Sequence, residues 1–114
     1  MSLDRVLQLL KSFGFSRVEA EVYVYLVKAG PSKAKDLTVG LRMPKQQLYP
    51  ALKGLKKKRI VTSIPERTAL FSALTLEELL NRYVKTNLEQ AMIIKETKEE
   101  MLDYWRNMIK QNST

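Results

Sequence analysis

Residues 76–111 run for 36 positions without a Pro or a Gly, and no other feature narrows the possible folds as much. Thr75-Leu76-Glu77-Glu78 opens the run in capping-box form, with a Thr hydroxyl and a Glu carboxylate placed to satisfy backbone N–H groups at a helix start. At ~1.5 Å per residue the helix would be about 54 Å long. The 74 residues before it can build a domain only roughly 25 Å across, so much of the helix is expected to project beyond it. Leu80, Val84, Asn87, Ala91, Ile94, Lys98, Met101, Trp105 and Met108 alternate steps of four and three, which is a heptad seam. Leu76, Leu79, Tyr83, Leu88 and Ile109 widen it. An isolated helix would leave this stripe in water, which predicts a coiled-coil homodimer through residues 75–114. The alternative is a hairpin folding back at residues 95–100, where KETKEE interrupts the seam, although no turn residue marks one there.

The preceding residues, 1–74, have shorter periods. Leu3, Val6, Leu7, Leu10 and Phe13 form one helical stripe, and Gly14 is placed to end it. Ser16-Arg17-Val18-Glu19 is another capping box. It starts a helix through Val22, Tyr23, Tyr25, Leu26 and Ala29 to Gly30, with Pro31 as a stop. Ser32 is expected to cap a third helix over residues 33–39 that buries Ala34 and Leu37. Gly40 and Leu41-Arg42-Met43 then make a turn into a fourth helix, and two short helices around a tight Gly-containing turn form a helix-turn-helix.

The fourth helix, residues 44–58, carries Leu48, Ala51, Leu52 and Leu55 on one face. Its opposite face shows Gln46, Pro50, Lys53 and Lys57, with Gln47, Tyr49 and Gly54 at the borders. Pro44 suits a first helical position. Amides and a phenol reach base edges and lysines neutralise phosphates, so this reads as a DNA recognition helix in the major groove. An ordinary amphipathic helix with a solvated basic face has the same pattern. Pro50 and Gly54 are unexpected in it, and neither lies on the core face. Either the first turn is bent, with Gly54 open to close approach by DNA, or the helix begins later, near Gln47.

Behind Lys56-Lys57-Lys58-Arg59 the period becomes extended. Ile60-Val61-Thr62-Ser63-Ile64 and Leu70-Phe71-Ser72-Ala73 read as two strands around the turn Pro65-Glu66-Arg67-Thr68. A hairpin there is the wing of a winged helix, spanning residues 60–73 with Arg67 at its tip on flanking DNA. The predicted fold class is mainly α with a small β-hairpin: a winged helix-turn-helix followed by a long C-terminal coiled-coil helix.

Charge divides along the same line. Residues 1–74 hold fourteen Lys and Arg against five Asp and Glu, a balance of +9, while residues 75–114 hold six against seven, a balance of −1. That asymmetry marks the first part as a polyanion-binding module. Lys33, Lys35, Arg42 and Lys45 join the fourth-helix lysines as candidate phosphate contacts. The chain has no Cys and no His, which removes thiolate and imidazole metal sites and the usual general base. The acids at 4, 19, 21, 36 and 66 form no recognisable catalytic pair and no Gly-rich phosphate loop exists, so neither an enzyme nor a cofactor is expected. No apolar run approaches the ~18 residues of a membrane span. The expected location is cytoplasmic, on the nucleoid.

The motifs also resemble a known family. Phe13-Gly14-Phe15-Ser16 with Glu19-Ala20-Glu21-Val22-Tyr23, the LVKAGP and AKDL stretches, and Met43-Pro44-Lys45 through Leu48-Tyr49, Leu52, Leu55 and Val61 are similar to the winged-helix domain of archaeal TrmB-like transcriptional regulators. The resemblance covers roughly residues 10–85. It implies DNA-binding transcriptional control with Gln46, Gln47 and Tyr49 on the reading helix. Two local departures are Pro50, in place of a polar helix former, and Arg59, in place of a Gly. Full-length members of the family typically carry a sugar-sensing domain beyond this region. The present chain offers one more helix there, so effector binding is not carried over. The expected function is a homodimeric, sequence-specific regulator of transcription on double-stranded DNA. The alternative is an architectural chromatin protein with little sequence preference, for which phosphate contacts alone would suffice.

Overall fold

A computed structural model describes residues 1–64 and 69–112. The chain divides into two units, Met1–Leu79 and the remainder from Leu80 onward. In the first unit, α1 (Leu3–Ser12) and α2 (Arg17–Ala29) precede a short strand β1 (Ser32–Lys33). Then come α3 (Ala34–Leu41), α4 (Lys45–Lys57), β2 (Val61–Ile64) and β3 (Leu70–Ala73). The last helix, α5 (Leu76–Asn112), has 37 residues. Its first turn, with buried Leu79, belongs to the first unit.

The core of the first unit is built from one stripe of each helix. Leu10 of α1, Val22, Tyr23 and Leu26 of α2, Leu37 of α3, and all four expected residues of α4 are buried. The α1 stripe is less covered than its spacing suggests, since Leu10 alone is buried and Leu3 is 55% exposed. The Ser16 capping box is present. Ser16 Oγ accepts from the Glu19 N–H at 3.0 Å, and Glu19 Oε1 accepts from the Ser16 N–H at 2.8 Å.

Four local expectations are corrected. Ser32 does not cap α3: its hydroxyl donates back to the Gly30 carbonyl at 2.8 Å, and its backbone pairs with Phe71 as strand β1. The Asp36 carboxylate instead accepts the Lys33 N–H at the helix start. The wing is therefore a three-stranded antiparallel sheet of order β1-β3-β2, not a bare hairpin. A two-residue strand has no periodicity to read, so its pairing was invisible in the sequence. The turn between α3 and α4 is also shorter than expected, because Gly40 and Leu41 belong to α3. A Cβ at Gly40 would run into the Tyr25 ring, so its small size serves helix packing. Pro44 is the N-cap of α4, so the helix begins at Lys45, one residue later than expected.

Arg42 and Arg59 both adopt positive φ, 51° and 59°. Arg59 thus takes the left-handed turn usually given to Gly, and the Ile60 N–H closes the helix on the Leu55 carbonyl at 3.0 Å. Behind it the chain is tied down twice. The Leu74 N–H donates to the Ile60 carbonyl at 2.9 Å, and the buried Tyr23 hydroxyl donates to the Leu74 carbonyl at 2.9 Å. Burial and the nearby Glu78 charge push the Tyr23 phenol up to about 12, so it remains a donor at any ordinary pH.

Among the described residues of the first unit Glu19 is the buried acid, 7% exposed. Lys58 Nζ lies 2.8 Å from its Oε1, donates also to the Gly14 carbonyl at 2.8 Å, and sits 5.4 Å from the Phe15 ring centroid. Burial alone would raise the carboxyl pKa; the Lys58 and Ser16 hydrogen bonds and the Lys58 charge outweigh it and hold it below the usual 4.5. A carboxyl depressed in the folded state binds fewer protons there than when unfolded. Its stabilisation is complete above the ordinary value and is lost as pH falls through the lower folded value. Glu19→Gln should therefore be less stable than wild type at pH 7 by about 1.5–3 kcal/mol. The gap should narrow below pH ~4.5, as measured by denaturant unfolding across that range.

Candidate nucleic-acid interface

The outward surface of α4 divides into three strips. Along its crest lie Gln46, Pro50, Lys53 and Lys57, all exposed, as their 100° spacing predicts. On one flank Tyr49, 48% exposed, stands between two grooves. A groove of about 510 Å³ runs from Tyr49 and Lys45 across Lys33, Lys35 and Thr38 to Ala69 and Phe71. A second, about 660 Å³, is lined by Tyr49, Leu52, Lys53, Lys56, Lys57 and Phe71. On the other flank Gln46, Gln47, Pro50 and Ala51 face Ser16, Val18 and Glu19 across a trough of about 330 Å³.

This arrangement brings together most of the residues singled out in the sequence. Lys33, Lys35, Lys45 and Tyr49 share one groove; Tyr49, Lys53 and Lys57 share the next. Gln46, on the crest, and Gln47 share the trough on the side away from Tyr49. Arg42 is exposed in the turn before α4 and lines neither groove. Arg67 lies outside the described residues. Sequence reasoning passed over Lys56, which lines the Tyr49 groove; its spacing of two helical turns from Tyr49 was the available signal. Lys58, part of the same basic run, turns inward to Glu19.

The electrostatics are one-sided. Helix α4 contains no acid, and its first turn, begun by Pro44, has no side-chain cap. The positive end of the helix dipole is thus not neutralised locally. Ion pairs such as Arg17–Glu21, Lys58–Glu19 and Arg106–Asp103 lie elsewhere, and among the described residues no carboxylate takes up a lysine of these grooves. A polyanion can meet six ammonium groups here, at 33, 35, 45, 53, 56 and 57, without displacing a carboxylate of the described residues.

The two unexpected α4 residues have different explanations. The helix starts at Lys45, so Pro50 is interior to it and the later start near Gln47 is ruled out. The Gln46 carbonyl consequently lacks its usual i+4 donor on the exposed crest. Gly54 does not face outward for DNA. A Cβ there would collide with the Glu19 carboxylate, so Gly54 is what allows α4 to lie against the capping box of α2. Pro50→Ala should raise stability, by up to ~3 kcal/mol. Gly54→Ala should lower it by about 1–3 kcal/mol despite better helix propensity. Thermal melts of the two single variants read the opposite signs.

A helix-turn-helix closed by a three-stranded wing, with a basic acid-free outer helix, defines the winged-helix class of regulator. The family described as sugar-specific transcriptional regulator TrmB matches residues 10–77, and the chain belongs to it. The HTH-type sugar sensing transcriptional regulator TrmBL1 of Pyrococcus furiosus is 32% identical over 79 residues, which is 69% of this chain and 23% of that protein. TrmBL2 of the same organism is 29% identical over 114 residues, 96% of this chain and 43% of the relative. The solved structure of TrmBL2, described as an archaeal chromatin protein with a novel mode of DNA binding, matches with a TM-score of 0.66 and 28% identity. That match covers 90% of this chain and 41% of the other. The transcriptional regulator Tm0710 from Thermotoga maritima shares the fold, with a TM-score of 0.58 at 17% identity over 98% of this chain and 88% of its own. The chain thus spans less than half the length of the TrmB relatives it matches. Among the described residues no helix is long and apolar enough to cross a membrane.

Proposed function

We propose that this chain is a DNA-binding regulator of transcription that reads duplex sequence as a homodimer on the nucleoid. Residues 1–74 bind DNA, with α4 in the major groove and the wing, residues 60–73 with Arg67, on flanking DNA. Residues 75–114 join two copies. The observation that carries the reading is the crest of α4: an amide at Gln46 and lysines at 53 and 57, flanked by Tyr49 and by grooves whose lysines meet no carboxylate among the described residues. Lys33, Lys35, Arg42, Lys45, Lys53 and Lys57 take phosphates; Gln46, Gln47 and Tyr49 take base edges. A second reading has its own support. TrmBL2 is described as a chromatin protein, and a crest with two lysines and one proline is also suited to phosphate-dominated, sequence-tolerant binding.

Binding to a randomised duplex library separates the two. Enrichment of a motif supports the regulator, and a flat library supports the architectural reading. On an enriched site, Gln46→Ala or Gln47→Ala should cost ~1–3 kcal/mol and matter little elsewhere. Lys53→Ala and Lys57→Ala should weaken all sequences alike and lower the salt slope by about one per contact. Equal losses on all DNA from every one of these variants would contradict the assignment of base reading to the glutamines.

The dimer has a separate check. Leu80, Val84, Ile94, Met101 and Trp105 are each 41–66% exposed within one chain, Asn87 and Ala91 are exposed, and Met108 is half-buried. Sedimentation at micromolar concentration should give twice the chain mass. Trp105→Glu should lower it, and a monomeric wild type would remove the proposal.

A further inference from the structure

We propose that α5 pairs with α5 of a second copy in antiparallel orientation, in the one register that sets Asn87 of each chain against Lys98 of the other. The inference rests on the homodimer reading and adds to it an orientation and a register. Helix α5 is unbroken through the whole seam, so both polar positions lie on a single rigid element. In heptad terms Val84, Ala91, Lys98 and Trp105 occupy one seam position, a, while Leu80, Asn87, Ile94 and Met101 occupy the other, d. Asn87 and Lys98 are the two polar residues among these eight, and they fall one in each class.

A parallel in-register pair sets a against a and d against d. Lys98 would then meet Lys98 of the second copy, with two ammonium groups held together inside an apolar stripe. An antiparallel pair sets a against d. With residue i opposite residue 185 − i, the Asn87 side-chain carbonyl meets the Lys98 ammonium, a donor with an acceptor. The two-fold axis makes this contact twice. In the same register Val84 meets Met101, Ala91 meets Ile94 and Leu80 meets Trp105, so apolar pairs fill the seam from residue 80 to residue 105, and Met108 beyond it comes opposite Glu77.

Slipping by one heptad destroys the match either way. In one direction Lys98 faces Leu80 and Asn87 faces Ala91; in the other, Lys98 faces Ile94 and Asn87 faces Trp105. Each slip strands both polar groups against apolar ones. Charges beside the seam often choose orientation in coiled coils. Here one flank, Tyr83, Gln90, Thr97 and Tyr104, carries none, and the other, Asn81, Leu88, Lys95 and Leu102, carries Lys95 with no opposite charge on either flank to pair with it, so the choice falls to the seam itself.

The chain contains no Cys, so introduced thiols report without background. Val84→Cys and Met101→Cys are made separately, mixed at equal concentration under reducing conditions, and oxidised. In the proposed pair the two copies of residue 84 lie about 26 Å apart along the axis, at ~1.5 Å per residue. A disulfide needs Cα atoms within roughly 7 Å. The expected result is a disulfide-linked dimer from the mixture and none from either variant alone. Self-linking of Val84→Cys alone would overturn the orientation, and a mixture that stays unlinked while sedimenting as a dimer would overturn the register. Wild type sedimenting as a monomer would instead remove the homodimer reading beneath both. Asn87→Asp gives an independent readout. Facing Lys98 twice, it should tighten the dimer about fivefold. Facing itself in a parallel pair, it would weaken it.

Discussion

A single carboxylate sets how α2 and α4 meet. Glu19 closes the start of its own helix through Ser16, and its Oε1 also receives Lys58 from the far end of α4. The charge is almost out of water, so it is tolerated only because these donors surround it. Lys58 in turn covers the Phe15 ring, and Phe15 packs edge-on against Tyr23 with ring centroids 5.7 Å apart. Tyr23 holds the Leu74 carbonyl, two residues before α5 begins. One connected set of contacts thus runs from the end of α1, through α2 and α4, to the end of the wing.

This explains why a chain with so many lysines keeps a definite outer helix. The charged residues of α4 are all basic, and packed together their repulsion would disfavour the helix. Four apolar residues on the inner face and the Lys58 tie at the C-terminal end hold it in place. The remaining ammonium groups are left in solvent, where screening reduces their mutual cost. The basic surface is thus supported from beneath by a small buried charge network and a larger apolar contact.

Much of this was legible in the sequence, because it rests on local chemistry. The Ser16 capping box, the apolar face of α4, the switch to extended backbone after Arg59 and the unbroken C-terminal helix each leave a mark in residue order. What stayed hidden was non-local. Strand β1 exists because Phe71 comes alongside Ser32, and two residues carry no alternation to betray it. Gly54 read as an opening toward solvent because the acid that fills the space lies far away in sequence, at Glu19. Lys58 read as one more basic residue in a run of four, since nothing local says which of them turns inward.

The collision waiting at Gly54 makes the order of change at two positions matter. While residue 19 is a glutamate reaching α4, any side chain at residue 54 must displace its carboxylate. A shorter residue at 19 would clear the space but leave Lys58 and the α2 start without their acceptor. A lineage of such chains can therefore leave this pairing only through a less stable intermediate, whichever position changes first. The two sites are coupled in stability, though 35 positions separate them in the chain.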